Sequence, residues 1–439
     1  MKHTDIIQKL NLEQKCALLS GETVFTTRAL PGKGIPAITL SDGPNGVRKQ
    51  AGAADHLGLN PSVPATCFPT SSATACSWDE KLGEAVGEAL GEEAAAQEVA
   101  VLLGPGLNIQ RSPLCGRDFE YFSEDPILAG RMAAAYVRGI QKNGISACPK
   151  HFAVNSQELR RMASDSVLDE RTLRELYLTG FEIVVKEAKP KTIMTSYNLI
   201  NGTYANENAH LLQDILRKDW GFDGAVVTDW GGSNDHALGV KNGSTLEMPC
   251  PGGDSIRELM KAVQDGKISE ADVDARLDEM LELVLSTHAA VEKAPRTFDA
   301  AAHHKLARRA AAESIVLLRN EGGILPLKPN EKLAVIGDFA ETPRYQGAGS
   351  SAVNALQVDT LLDSIKADDS GITLVGYASG FERQGAADAE KLEEAVALAK
   401  KADTVLLCLG LDELRESEGL DRADMKLAEN QQQLLAAVA

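Results

Sequence analysis

The feature that most constrains the fold is a regular alternation of short β-branched apolar runs with longer amphipathic stretches, which continues to about residue 290. Runs of this length predict buried strands, and the amphipathic stretches between them predict helices. The predicted strands are 37–43, 99–106, 145–151, 192–198 and 224–230, and the predicted helices lie near 79–98, 125–142, 169–187 and 208–219. Because these strand–helix units are too many for a small doubly wound domain, we predict an α/β fold with a (β/α)8-type TIM barrel.

A second α/β unit follows. An Ala-rich and polar stretch at 291–307 is predicted to link the barrel, residues 1–290, to an α/β sandwich domain at 308–439. Strands are predicted there at 332–337, 372–377 and 404–410, and helices near 305–315, 386–401 and 425–439. Because three strands make a thin sheet and the last helix keeps an apolar face, we expect this domain to be incomplete and the chain to be a fragment of a longer protein.

Charge and hydropathy exclude several classes of partner. The chain has 45 basic and 63 acidic residues and a net charge of −18, which disfavours nucleic acids and anionic membrane surfaces and suits a small neutral substrate. No apolar run approaches the ~20 residues that span a bilayer. The amino terminus lacks the apolar run of about 7 to 15 residues found in a signal peptide. We therefore expect a cytoplasmic protein, and the sequence is compatible with a homo-oligomer.

The cysteines and histidines give no sign of a metal centre. The seven cysteines are scattered, without a C-x-x-C pair, which predicts reduced and mostly buried thiols. The eight histidines form no H-E-x-x-H motif, and His303 and His304 are expected to be solvated residues of the linker. No metal and no cofactor are therefore predicted.

Polar residues stand at the carboxyl ends of the predicted strands, or in the loops that follow them. These residues are Asp42, Arg117, Lys150, His151, Tyr197 and Asp229. One such Asp could merely cap the next helix, but in a β/α barrel catalytic groups project from this end of the strands, and here five strands share the position. Glycosidic bond cleavage uses one carboxylate beneath the anomeric carbon and a second as proton donor, and sugar hydroxyls suit the remaining charged groups. The set therefore favours a glycosidase.

Six ordered motifs carry a resemblance to a known family. They are SDGPNGVR (41–48), GRDFEYFSEDP (116–126), PKHFAVNSQELRR (149–161), MTSYNLINGTYANEN (194–208), VVTDWGG (226–232) and ESEGLDR (416–422). Together they resemble glycoside hydrolase family 3, in its β-glucosidase branch, from the first helix to the last residue. The resemblance implies a retaining, exo-acting β-glycosidase, chiefly a β-glucosidase acting on short neutral β-glucosides.

The resemblance also implies the two catalytic carboxylates. Asp229 matches the nucleophile that forms a glycosyl-enzyme intermediate, and Glu418 matches the general acid/base, although Glu413 and Glu416 stand close enough to take its part. We expect neighbouring Lys and Arg residues to keep Asp229 ionised, and burial or the charge of Asp229 to raise the pKa of Glu418. Retention requires the two carboxyl groups to lie about 5 to 5.5 Å apart.

The other motif residues match substrate contacts. Asp42 resembles the carboxylate that accepts hydrogen bonds from distal sugar hydroxyls, and the expected donors to the other ring positions are Arg117, Lys150 and His151. Tyr197 is expected to orient the nucleophile, and Trp230 to stack on the sugar at the leaving-group side. A Gly-rich loop, 346–351, is expected near the rim.

Two positions depart from the family pattern. Asp118 stands where Asn is more common, and Thr245 stands where Asp is common. The first adds a negative charge beside Arg117, which opposes the predicted sugar contact of that residue. Both positions are peripheral to the carboxylate pair.

Other functions stay open at this point. β-Xylosidases and arabinosidases share the scaffold, whereas the hexosaminidase branch is disfavoured by the Phe-Ala-Val-Asn that follows His151. A non-catalytic sugar-binding protein would keep the same pocket. A Lys-dependent aldolase-type barrel would form a Schiff base on Lys150.

Overall fold

The computed structural model describes residues 1–52, 60–249 and 252–439 of the 439-residue chain. Its strands are β1 (Leu40–Asp42), β2 (Val101–Leu103), β3 (Ser146–Ala147), β4 (Asp165–Ser166), β5 (Thr192–Met194), β6 (Leu199–Ile200), β7 (Thr203–Tyr204), β8 (Ala225–Val227), β9 (Lys332–Ile336), β10 (Thr373–Ala378) and β11 (Thr404–Leu407). Every predicted strand overlaps one of these, and in all but β10 the regular part is shorter than the apolar run that predicted it.

Helices separate these strands. The α-helices are Thr4–Ile7, Leu12–Ala17, Ser71–Ala75, Glu80–Ala96, Pro126–Gln141, Glu170–Thr172, Thr179–Ile183, His236–Asn242, Asp254–Gln264, Glu270–Lys293, Ala300–Glu313, Leu361–Lys366, Ala389–Ala399 and Glu429–Val438. Wider π-type turns occur at Leu173–Tyr177, Val184–Ala188 and His210–Asp219, and short 3-10 turns at Pro31–Lys33, Asp118–Glu120, Ala205–Glu207 and Asp338–Ala340. The predicted helices are all present within a few residues, and the α/β alternation is confirmed.

Backbone pairing in the first 250 residues follows a closed path. β1, β2 and β3 pair in parallel in that order, and β5 pairs in parallel with β8. Single bridges join these pieces: Phe152 with Thr195, Val227 with Leu246, and Ser20 with Glu247, all parallel. The path then returns to β1 through two antiparallel bridges, Gly21 with Thr27 and Thr26 with Thr39. The ring is therefore closed, and one section of it is antiparallel rather than a repeated parallel unit.

The helix pair outside this ring packs unusually closely. Helices Glu80–Ala96 and Pro126–Gln141 meet at Gly87 and Gly139. A Cβ added at Gly87 would lie 2.4 Å from the Tyr136 carbonyl oxygen, and one at Gly139 would lie 2.2 Å from the Glu84 carbonyl oxygen. Because no side chain fits in either place, only glycine allows this approach. The packing fixes the two helices against each other, and helix Pro126–Gln141 contacts β3.

The second unit has a parallel three-stranded sheet in the order β10, β9, β11. Both of its faces are covered. One face packs Leu333 and Val335 with Leu362 of helix Leu361–Lys366, and the other packs Ile336 with Ala395 and Leu434 of helices Ala389–Ala399 and Glu429–Val438. The loop after β11 leads back towards the first unit and carries Glu418.

Two helices occupy most of the predicted linker. Helix Glu270–Lys293 extends into the stretch 291–307, and helix Ala300–Glu313 begins inside it, so only 294–299 lie between them. The expectation that His303 is solvated is wrong. His303 is buried, with Nδ1 2.7 Å from Oε1 of buried Glu93, because this face of its helix packs against Glu80–Ala96. His304 is half-buried and pairs with Asp359 at 2.9 Å.

The described cysteines are free. Cys16, Cys115 and Cys148 are buried, Cys67 and Cys408 are half-buried and Cys76 is exposed, whereas Cys250 lies outside the described residues.

Within the three described stretches, no helix combines the length and the apolar character that crossing a membrane requires.

Candidate active site

One cavity of about 410 Å³ brings together all eight residues predicted for the site. They are Asp42, Arg117, Lys150, His151, Tyr197, Asp229, Trp230 and Glu418. Its further lining residues are Phe25, Arg48, Gln50, Arg161, Met162, Met194, Gly349 and Ser350. Seven of the predicted residues come from the first unit, and Glu418 comes from the second, so the site lies between the two.

The strand ends explain this convergence. Asp42 is the last residue of β1, Asp229 follows the end of β8 by two residues, and Tyr197 follows the end of β5 by three. Lys150 and Phe152 form parallel bridges to Gly106 and Thr195, which continue β3 into its neighbours. Because parallel strands deliver their carboxyl ends to one edge, these side chains meet there.

Asp229 is buried, and only one of its two carboxylate oxygens has a hydrogen-bond partner among the described residues. Its Oδ1 accepts a hydrogen bond from the Trp230 amide at 2.8 Å. Its Oδ2 lies 3.7 Å from Nε2 of His151 and has no hydrogen-bond partner among the described residues. Burial raises the pKa of Asp229, and the opposing effects of Arg117 and Arg161 do not reverse the shift. Nearby cations therefore favour the ionised form of Asp229, as expected, but burial outweighs their effect on its pKa.

For Glu418, the effect of neighbouring groups on the pKa outweighs the effect of burial. Its Oε1 lies 2.8 Å from Nη1 of Arg161 and 3.6 Å from Nη1 of Arg117, and its Oε2 accepts the Ser350 amide at 2.7 Å. Burial alone would raise the pKa of Glu418, but these two guanidinium groups and the Ser350 amide hold it well below its ordinary value. The expected raised pKa is wrong, because sequence reasoning placed no cation beside Glu418.

Arg117 is anchored by an acid that the sequence analysis missed. Arg117 and Glu120 are both fully buried and form a two-point ion pair, with Nε–Oε2 at 3.0 Å and Nη2–Oε1 at 2.8 Å. Lys150 Nζ lies 3.7 Å from the same Glu120 Oε1. Glu120 therefore fixes two of the predicted sugar donors. The acid three residues after an arginine in GRDFE was the available signal.

His151 is held as a neutral ring. Burial, with Arg117 and Lys150 nearby, lowers the pKa of His151 well below its ordinary value. Tyr121 Oη lies 3.1 Å from Nδ1 of His151 and accepts a hydrogen bond from Asn155 Nδ2 at 3.1 Å. Because the Tyr121 proton is thus directed to Nδ1, we assign the ring hydrogen to Nε2, which faces Asp229.

Tyr197 and Trp230 shape the wall beside Asp229. The Tyr197 hydroxyl donates to the Trp230 carbonyl at 3.0 Å rather than to a carboxylate. The Trp230 indole N–H donates to the Val24 carbonyl at 2.7 Å, and its ring lies 5.3 Å from that of Phe25. These contacts leave an aromatic surface at the cavity.

Arg161 is the main lining residue that sequence reasoning missed. Its guanidinium lies 4.9 Å above the ring of Tyr197 and contacts both Glu158 and Glu418 at 2.8 Å. It ends the motif PKHFAVNSQELRR, but nothing in one sequence distinguishes it from Arg160.

The rival carboxylates do not line the cavity. Glu413 pairs with Arg383 at 3.4 Å, and Glu416 pairs with Arg344 at 2.9 Å. Asp118 lines a neighbouring cavity of about 850 Å³ instead, together with Glu416 and Arg344. Burial, followed by the charges of Glu416 and Asp421, raises the pKa of Asp118 to about 7.

Two further expectations concern the periphery. Thr245 lies away from the cavity, and its hydroxyl donates to Glu279 at 2.7 Å. The Gly-rich loop 346–351 does reach the rim, through Gly349 and Ser350.

In the part of the chain that the structure describes, no group of three or more His, Cys, Asp or Glu side chains is arranged to hold a metal ion.

Comparisons with known proteins find matches for both units of the chain. Residues 53–283 match the Glycosyl hydrolase family 3 N terminal domain, and residues 315–439 match the Glycosyl hydrolase family 3 C-terminal domain. The chain is 46% identical to the thermostable beta-glucosidase B of Acetivibrio thermocellus and 44% identical to an exo-alpha-(1->6)-L-arabinopyranosidase of Bifidobacterium longum. Each alignment covers 99% of this chain but 58% of the relative, so the chain spans less than two thirds of those proteins.

Solved structures show the same fold. A family 3 beta-glucosidase of Bifidobacterium adolescentis superposes with a TM-score of 0.92 at 42% identity, over 98% of this chain and 62% of that one. Beta-glucosidase 3B of Thermotoga neapolitana, solved in complex with glucose, gives a TM-score of 0.89 at 34% identity, over 100% and 67% of the two chains. The chain therefore belongs to glycoside hydrolase family 3.

Proposed function

We propose that the protein is a retaining exo-β-glucosidase that removes terminal β-linked glucose from short neutral glucosides. The observation that carries this proposal is the placement of Asp229 and Glu418 in one cavity among buried sugar-binding groups. Relatives named beta-glucosidase support the sugar, and a related structure solved with glucose supports the ligand.

The proposed architecture follows from the pairing path and the family matches. We infer a TIM-type barrel over 1–290, in which residues 20–27 supply an antiparallel section, and a sandwich domain over 308–439. The stretch 291–307 joins them. The catalytic site then depends on docking of the second domain, because that domain supplies Glu418.

The first chemical step is attack by Asp229 on the anomeric carbon. The free Oδ2 of Asp229 is the oxygen with no competing hydrogen bond among the described residues, so it is the attacking atom in this proposal. Glu418 gives a proton to the departing oxygen as the glycosyl–Asp229 ester forms. In the second step Glu418 takes a proton from water, the water oxygen attacks the anomeric carbon, and Asp229 leaves as a carboxylate.

Glu418 has to carry a proton for the first step. Arg117, Arg161 and the Ser350 amide oppose this, because they lower the pKa of Glu418 against the effect of burial. Two coupled carboxyl groups titrate as a pair, so the location of one proton depends on their neighbours. A substrate hydroxyl that takes a hydrogen bond from Arg161 weakens its pairing with Glu418. Sugar binding then favours the proton on Glu418.

The remaining groups hold the sugar. Asp42 accepts from distal hydroxyls, and Arg117, Lys150 and His151 Nε2 donate to other ring positions. Burial raises the pKa of Asp42 to about 6, against the lowering effects of Lys150 and Arg48. Trp230 offers its ring at the leaving-group side, and Tyr197 supports it through the hydrogen bond to its carbonyl.

A second candidate is an α-L-arabinopyranosidase. It is favoured by the 44% identical relative of that name. Arabinopyranose lacks the hydroxymethyl group of glucose, so the two activities differ in what the pocket must accommodate beyond the ring.

A panel of nitrophenyl glycosides tests the proposal. We expect the highest kcat/KM with the β-glucoside, and we expect Asp229→Asn to abolish turnover while glucose binding, measured by isothermal titration, persists. Asp223→Asn, an exposed residue just before β8, is the matched control and keeps full activity. A near-normal rate in Asp229→Asn, or binding by the parent chain without turnover of any glycoside, contradicts the proposal.

A further inference from the structure

A carboxylate outside the cavity joins three loops. Asp421 stands three residues after Glu418 and does not line the cavity. Its Oδ1 accepts hydrogen bonds from the amides of Gly116 at 3.1 Å and Glu158 at 2.9 Å. Its Oδ2 accepts from the amides of Leu159 at 2.8 Å and Glu158 at 3.1 Å. One side chain of the second domain thus holds backbone donors from two separate loops of the first.

Those two loops carry the cations that flank Glu418. Gly116 directly precedes Arg117, and Leu159 stands two residues before Arg161. Hydrogen bonds from amides to an ionised carboxylate are short and strong, and several of them on one carboxylate fix their donors relative to each other. Asp421 therefore sets the position of both arginines against the loop that bears Glu418.

The backbones at this junction fit too closely to tolerate a shift. A Cβ added at Gly116 would lie 1.7 Å from the Leu420 carbonyl oxygen and 2.3 Å from that of Ser417. The Gly419 amide also donates to Glu158 Oε2 at 2.7 Å. The loop that carries Glu418 thus rests on the first domain through close backbone packing at Gly116 and a hydrogen bond to the buried Glu158 side chain.

We propose that Asp421 is a positioning residue for the acid/base chemistry: it holds Glu418 in register with Arg117 and Arg161 through the amides of Gly116, Glu158 and Leu159. This inference rests on the proposed function of Glu418. Loss of the Asp421 charge leaves the cavity residues intact but loosens the loop that carries the proton donor.

Leaving-group dependence distinguishes this role from general stability. A displaced acid slows the departure of an alkoxide that needs a proton more than it slows a stable phenolate. For Asp421→Asn, we expect kcat/KM to fall about tenfold or more with methyl β-glucoside and only about threefold with 2,4-dinitrophenyl β-glucoside. Asp424→Asn is the control, because Asp424 is exposed and its side chain accepts a hydrogen bond from the Lys426 amide in the same turn. Equal losses on both substrates overturn the proposal.

Amide hydrogen exchange tests the same contact without requiring turnover. In Asp421→Asn, peptides covering 114–118 and 156–161 should exchange faster than in the parent chain, whereas helix Pro126–Gln141 should be unchanged and so report an intact fold. Gly116→Ala should accelerate the same two peptides. If exchange there is unaltered in Asp421→Asn, the proposal is wrong. Absence of glycosidase activity in the parent chain would contradict the proposed function alone, and the exchange result would still decide the role of Asp421.

Discussion

Arg161 Nη1 lies 2.8 Å from Glu418 Oε1 and also 2.8 Å from Glu158 Oε2. One guanidinium nitrogen is thus shared between the proposed proton donor and a buried acid on its own loop. Because Arg161 is among the groups that lower the pKa of Glu418, its removal should raise that pKa.

The first prediction concerns Arg161→Met. The pH profile of kcat/KM should have its alkaline limb at higher pH than in the parent, since Glu418 then stays protonated over a wider range. The overall rate should also fall, because a sugar contact is lost. Arg160→Met, at the neighbouring exposed position, should leave the profile unchanged. A profile that falls in height without moving its alkaline limb would show that Arg161 does not control the protonation of Glu418.

The second prediction separates Glu418 from its neighbour Glu413. In Glu418→Gln, kcat/KM for an alkyl β-glucoside should fall by about 10² to 10⁴, the usual contribution of general acid catalysis. Azide should restore turnover of a dinitrophenyl β-glucoside and yield the β-glucosyl azide, because a small anion needs no base to attack the intermediate. Glu413→Gln, whose side chain pairs with Arg383 instead, should behave as the parent. Azide rescue in Glu413→Gln but not in Glu418→Gln would reverse the assignment.

The third prediction uses the raised pKa of Asp118, about 7, which burial causes together with Glu416 and Asp421. A carboxyl group whose pKa is higher in the folded than in the unfolded state makes folding less favourable as pH rises from about 4 to 7. Asp118→Asn should therefore be more stable than the parent at pH 8, by up to about 3 kcal/mol, and close to it at pH 4. Urea unfolding at both pH values measures this, with Asp369→Asn as an exposed control. Equal stability of Asp118→Asn and parent at pH 8 would contradict the shift.

The fourth prediction has the opposite sign and concerns His303. Burial would lower the pKa of His303, but its hydrogen bond to Glu93 raises it above the ordinary value. Stability from this pair is fully present below about pH 6.5 and is lost as pH rises through the raised pKa. His303→Gln should cost about 1 kcal/mol or more at pH 6 and less at pH 9, measured by urea unfolding. His288→Gln, on the preceding helix, controls for loss of a histidine. A cost that is the same at both pH values would rule out the ion pair.

Much of the site was predictable because it lies where strands end. Asp42, Tyr197 and Asp229 follow apolar runs that are visible in the sequence, and strand ends of a parallel sheet share one edge. Glu418 came from the family resemblance alone, since its position depends on how two domains dock.

The parts that escaped prediction depend on distances between residues far apart in sequence. Arg161 and Asp421 act on partners about 260 positions away, and no local pattern signals such pairs. The expected rise in the pKa of Glu418 was wrong for the same reason. The shift is decided by the contacts of Glu418 with Arg117 and Arg161, and composition near the motif does not reveal them. The antiparallel section at residues 20–27 likewise lacks the apolar run that marks the other strands.

The proposed function requires that Asp229 becomes covalently bonded to the sugar during retention. Incubation with 2,4-dinitrophenyl 2-deoxy-2-fluoro-β-glucoside, followed by mass spectrometry of the intact chain and of its peptides, tests this directly. We expect loss of activity with addition of one fluoroglucosyl group, located on the peptide that contains Asp229. An active enzyme that gains no adduct, or an adduct on Glu418 or another carboxylate, would contradict it.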